Sequence, residues 1–166
     1  MEENKIDWRK YHQFMPREGW CGQTTVKMIF NATGIKKSIY EISKYIYKPW
    51  WGCPSQLIVA YLSKFFLVVN YKINATIGDI SLHLRLGHIV VVNFWDKIDD
   101  DEDGHYAIVS NYENGTLTMI DSSKEHDWQW GISGKAFRKI WYDTLSVDDR
   151  LYHEGFMCWI DPKSKR

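Results

Sequence analysis

The apolar residues of this chain change period once, near residue 66. That change limits the chain to folds in which a helical part precedes a sheet part. Before it, Val26, Met28, Ile29 and Phe30 carry a helix over 21–33 that Gly34 stops. Ser38 and Glu41 form a capping-box pattern opening a second helix through Ile46, with Ile39, Ile42 and Ile46 on its apolar face. Pro54 suits the first turn of a third helix, striped by Leu57, Ile58, Tyr61, Leu62 and Phe65. Beyond it, strands are predicted over 67–73, 88–95, 105–112, 116–120 and 155–160, and short helices over 77–86 and 131–141. Residues 96–104 read as an acidic loop. The fold class is therefore α+β.

A chain of 166 residues suits a single domain over 1–166, with its core over about 11–160. Its 21 basic and 21 acidic residues balance, which argues against a nucleic-acid partner. A polar N-terminus and the lack of a long apolar run predict neither a secretory signal nor a membrane span, hence a cytoplasmic protein. Three irregularly spaced cysteines predict reduced thiols rather than a disulfide framework. The acidic run from Asp99 to Gly104 matches the first half of a calcium loop, but Ser110 holds the position where that loop needs Glu. A solvated acidic loop beside His105 is the expectation, with no metal and no cofactor.

One stretch carries chemistry. Cys21 opens the first helix, between Trp20 and Gly22. Thiols at helix N-termini are favoured as thiolates, the reactive form. A thiol nucleophile also needs a base, an orienter for that base and an oxyanion donor. His105 is the candidate base, at the start of a strand, and Gln13 lies upstream of Cys21 as the candidate donor. Asp121 is the candidate orienter. Glu113-Asn114-Gly115 is expected to be a three-residue turn, so that Tyr112 pairs with Thr116 and Asp121 falls on the face of His105; a two-residue turn would put it on the opposite face. Cys53, before Pro54, is the second-choice nucleophile, and Cys158 reads as core. Trp20, Trp50 and Trp51 are candidate substrate-binding rings, and Trp128 and Trp130 share one side if their segment is extended.

These residues resemble those of the papain-like peptidases of the bacteriocin-processing, double-glycine leader type, especially its stand-alone members. The matching motifs are Gln13 with Trp20-Cys21-Gly22-Gln23-Thr24, Pro54-Ser55-Gln56-Leu57, Gly87-His88-Ile89-Val90, Gly104-His105-Tyr106-Ala107, Met119-Ile120-Asp121 and Phe137-Arg138-Lys139-Ile140-Trp141. The resemblance implies a helical lobe packed on an antiparallel sheet. It implies Cys21 as nucleophile, His105 as base, Asp121 as orienter and Gln13 as oxyanion donor, acting on a peptide or protein substrate. Gln13 precedes Cys21 by a longer gap than transporter-linked members usually have, and Ser122 stands where Pro is common. No membrane or ATPase segment accompanies the motifs, so a transporter-bound peptidase is not implied. The same residues also suit an acyl or amide transferase, or a silent peptide-binding module.

Overall fold

The computed structural model describes residues 5–98, 101–145 and 150–166. Its helices are α1 (Cys21–Thr33), α2 (Ile39–Ile46), α3 (Ser55–Leu62), α4 (Ile77–Arg85) and α5 (Gly134–Ile140). Its strands are β1 (Val69–Lys72), β2 (Ile89–Ile98), β3 (Asp101–Glu113), β4 (Thr116–Ile120), β5 (Gln129–Ser133), β6 (Tyr142–Leu145), β7 (Arg150–Glu154) and β8 (Met157–Ile160). Six strands form one antiparallel sheet in the order β1-β8-β2-β3-β4-β5, and β6 and β7 form a separate hairpin. The α+β expectation holds. Among the described residues, no helix is long and apolar enough to cross a membrane, and no group of three or more His, Cys, Asp or Glu is placed to hold a metal ion.

Local chemistry accounts for the helices. Ser38 accepts from the Glu41 N–H while the Glu41 carboxylate accepts from the Ser38 N–H, and Thr76 and Asp79 repeat the arrangement on α4. Gly34 ends α1 at a φ of 77°. The sheet then separates two cores by simple alternation. Ile89 and Val91 of β2, with Tyr106 and Ile108 of β3, face a lobe built on α1, α2 and α3 around Phe30, Ile42, Ile58 and Leu62. Val90, Val92 and Phe94, with Ala107 and Val109, face Ile80 of α4 and Phe137 of α5. Burying each large apolar side chain contributes about 1.5–3 kcal/mol, so both faces are substantial.

Three expectations need correction. Residues 96–104 are not a loop: Lys97 pairs with Glu102 and Ile98 with Asp101, so the acidic run extends the β2–β3 hairpin. Asp99 and Asp100 lie outside the described residues. His105 accordingly sits within β3, opposite Phe94, rather than at its start. The β3–β4 turn is the two-residue form, with Glu113 opposite Thr116 and positive φ at Asn114 (49°) and Gly115 (78°), the conformation such turns require. Finally, 131–141 is not one helix: β5 occupies its start and α5 its remainder.

Candidate active site

The two-residue turn by itself would turn Asp121 away from His105. A bulge prevents this. Asn111 pairs with Thr118 but Val109 pairs with Met119, so Ser110 is an extra residue in β3. One extra residue reverses the side-chain phase of everything beyond it. Asp121 thereby returns to the face of His105, where its Oδ1 accepts from His105 Nε2 at 2.6 Å. The juxtaposition is the expected one, but the extra residue lies in the strand and not in the turn.

A carboxylate only accepts, so His105 carries its proton on Nε2. Nδ1 is the ring nitrogen left for Cys21, whose thiol is near enough to the imidazole to favour its charged form. Both residues are buried, and α1 is tied to β3 beside them by the Thr25 hydroxyl, which donates to the Tyr106 carbonyl at 3.5 Å. Burial opposes charge on His105, but the Asp121 carboxylate and Cys21 outweigh it and hold the imidazole well above its ordinary range. Burial likewise opposes charge on Asp121, yet His105 and the Ser123 N–H leave its carboxyl below the usual value.

Asp121 is 0% exposed, and both its oxygens are engaged. Oδ1 also accepts from the Ser123 N–H at 2.8 Å, and Oδ2 accepts from Trp130 Nε1 at 2.9 Å. His126 stacks on Trp130 and donates from Nε2 to Asp96 Oδ2 at 2.8 Å. Neither Trp130 nor His126 was expected here. The period-two spacing of Trp128 and Trp130 was the only available signal, and it pointed elsewhere. Trp128 precedes β5, so the two rings do not share a side: Trp128 packs on the helical-lobe core and Trp130 on the opposite one.

Gln13 is held beside Asp121 by its neighbours. His12 Nε2 donates to the Asp121 carbonyl at 2.6 Å, and the Met15 N–H donates to the Ser122 carbonyl at 2.8 Å. The Gln13 side chain itself is half-buried and has no hydrogen-bond partner among the described residues. A cleft of about 560 Å³ lies between 15–18 and 123–125, next in the chain to Cys21 and Asp121. A larger cavity, about 630 Å³, opens between the N-terminal arm, α4 and the Ser110 bulge; none of Cys21, His105 and Asp121 lines it.

The candidate aromatic surface divides. Trp20, a candidate substrate-binding ring, is buried against Tyr40, Tyr47 and the Arg17 guanidinium. Trp50 and Trp51 are 78% and 51% exposed, on the loop that leads into Cys53. Cys53 packs against Gly22: a Cβ added at Gly22 would lie 2.6 Å from the Cys53 Cβ. Its thiol donates to Gln23 Oε1 at 2.9 Å, and burial pushes it far above the ordinary thiol range. Burial alone pushes Cys158, inside β8, up to about 12.

The sequence matches no family model and no curated protein. Solved structures do match. A protein from Bacillus anthracis described as a C39-like peptidase aligns with a TM-score of 0.63 at 12% identity, over 96% of this chain and 98% of that one. The peptidase domain of Streptococcus ComA, a bifunctional ABC transporter of a quorum-sensing pathway, gives 0.64 at 14% identity, over 90% and 98%. A double-glycine-motif protease from an AMS/PCAT transporter, solved with its leader peptide, gives 0.57 at 8% identity, over 90% and 88%. The chain has the papain-like fold of C39-type peptidase domains. Identities this low speak for the fold, and the activity has to be argued from the site.

Proposed function

We propose that the chain is a cysteine peptidase of the C39 kind, hydrolysing a peptide or amide bond with Cys21 as nucleophile. One observation carries this reading: the Asp121 carboxylate holds the His105 ring at 2.6 Å and Cys21 lies near enough to favour the imidazolium, while among the described residues no imidazole is bonded to Cys53 or Cys158. The Cys21 proton passes to His105 Nδ1, and the sulfur attacks the substrate carbonyl. The Cys21 N–H and the unpaired amide of Gln13 receive the oxyanion, since the first N–H groups of a helix have no partner within it. His105 returns the proton to the leaving amine and a thioester remains. Water, losing a proton to His105, then releases the acid and the thiol. Asp121 holds the ring and stabilises the imidazolium throughout.

The substrate is a peptide or protein segment lying near the exposed Trp50 and Trp51. The leader peptide bound by the AMS/PCAT protease is a precedent for a peptide partner. The test is a mixed peptide library treated with the wild type and with Cys21→Ala, with new N-termini read by mass spectrometry. New N-termini made by the wild type alone support the reading, and identical products overturn it. A competing amine that is incorporated at the cut site assigns transfer instead of hydrolysis.

A further inference from the structure

Behind Asp121 stands a second tier of polar groups that the reaction above leaves unused. The Trp130 indole N–H meets Asp121 Oδ2 at 2.9 Å, and Trp130 lies opposite Met119, which places its ring on the face that carries Asp121 two residues on. His126 lies flat on that indole, with ring centroids 4.7 Å apart and planes 12° from parallel. His126 is anchored through Nε2 to Asp96 of β2 at 2.8 Å, and the same nitrogen lies 3.8 Å from Asp121 Oδ2. Phe94 closes the opposite side, edge-on to both His105 and Trp130. The β4–β5 connection is thus tied to β2 across two intervening strands.

This arrangement has a mechanical consequence. A carboxylate turns easily about its terminal torsion, which is broad and two-fold. Here the Ser123 N–H and His105 claim Oδ1 while Trp130 claims Oδ2, so any turn breaks a hydrogen bond on each side. Without the indole N–H, Oδ2 is a buried acceptor with no close donor, and the nearest alternative is His126. Turning toward His126 pulls Oδ1 off His105 and frees the ring that faces Cys21.

We infer that Trp130 and His126 are positioning residues for the Cys21–His105 pair: Trp130 fixes the Asp121 carboxylate, and His126, clamped to Asp96, fixes Trp130. The inference rests on the reading of Cys21, His105 and Asp121 as the reactive group. Groups that hold a metal-ligating side chain from behind typically govern about 10- to 100-fold in affinity or activity, and an effect of the same order is expected here.

The test is the rate of iodoacetamide alkylation of Cys21 against pH, read residue by residue by mass spectrometry on the full chain. Trp130→Phe keeps a ring but removes the N–H; His126→Ala removes the clamp; His126→Gln keeps a donor for Asp96. Trp130→Phe and His126→Ala are expected to slow Cys21 about tenfold at pH 6 and to move the acid limb of the profile to higher pH, with His126→Gln recovering part of the loss. A reactive wild type with both variants within twofold of it overturns this inference alone. A slower rate with an unmoved pH profile marks a merely structural role and also overturns it. A wild type whose Cys21 is no faster than Cys53 removes the underlying reading, and the inference with it. Circular dichroism of each variant confirms that folded protein is compared.

Discussion

Two thiols flank Gly22, and they meet opposite surroundings. Cys21 opens α1 and faces the His105 imidazole, which Asp121 backs. Cys53 presses on Gly22 from the other side, and its thiol spends its proton on the Gln23 side-chain carbonyl. Both are buried, and both lie near the same helix start. On the proposed reading, burial and a helix terminus do not by themselves make a thiol reactive. The difference is a partner able to take the proton and remain charged, and the sheet supplies that partner to only one of the two.

The sharpest way to break this contrast is Cys21→Ala. Hydrolysis is expected to fall by on the order of 10⁴-fold or more, because the Cys53 thiol is bonded to the Gln23 amide oxygen, which is no base, and burial keeps it protonated. Residual cutting at the wild-type rate in a peptide assay contradicts the contrast outright. Asp121→Asn comes next, with turnover lowered on the order of 10²- to 10⁴-fold, since an amide N–H₂ cannot accept from all of its present donors. The same substitution sharpens the electrostatic side. His105 is raised when folded, so its contribution is complete below its unfolded value of about 6.5 and fades as pH climbs through the folded value. Asp121 is lowered when folded, so its contribution is complete above about 3.9 and fades as pH falls through the folded value. Denaturant melts are expected to show the Asp121→Asn penalty largest between those limits.

Gly22→Ala tests the wall between the thiols. The added Cβ meets the Cys53 Cβ at 2.6 Å and its sulfur at 2.9 Å. Overpacking of this kind costs about 1–3 kcal/mol, a drop in melting temperature of roughly 3–10 °C by calorimetry.

Asp143, on β6, gives a further pH signature. Burial raises its carboxyl to about 6, so the folded state holds its proton longer than the unfolded chain. Stability should then fall as pH rises from about 4 to about 6, by at most about 3 kcal/mol, and Asp143→Asn should remove that slope in urea melts. Cys53→Ser has the smallest effect. It keeps a donor for Gln23, and Cys21 labelling is expected to stay within about twofold of wild type.

Much of this contrast was legible in the residues. The cap at Ser38, the stop at Gly34 and the helical stripe before residue 66 are local signals, and the elements formed where those signals stood. Cys21, His105 and Asp121 were each marked by position within such elements. What the local pattern could not carry was the bulge. Asn114-Gly115 dictates the turn, but nothing around Ser110 announces an unpaired residue, since a bulge reconciles two faces that must both find a core. The acidic run misled for a related reason: its charge suggests solvent, yet backbone pairing with β2 continues past Asp96. Trp130 and His126 are hidden in the sequence because their partners, Asp121 and Asp96, are distant along the chain and the end of β5 carries the apolar spacing of a helix.

On the proposed mechanism, His105 makes Cys21 unlike the other two thiols. The direct measurement is alkylation of native protein near pH 6.5, counted cysteine by cysteine, in wild type and in His105→Ala. Cys21 is expected to react on the order of 100-fold faster than Cys53 and Cys158 in the wild type, and to lose that lead in the variant. Three equally slow thiols in the wild type, or a lead that survives without the imidazole, would contradict it.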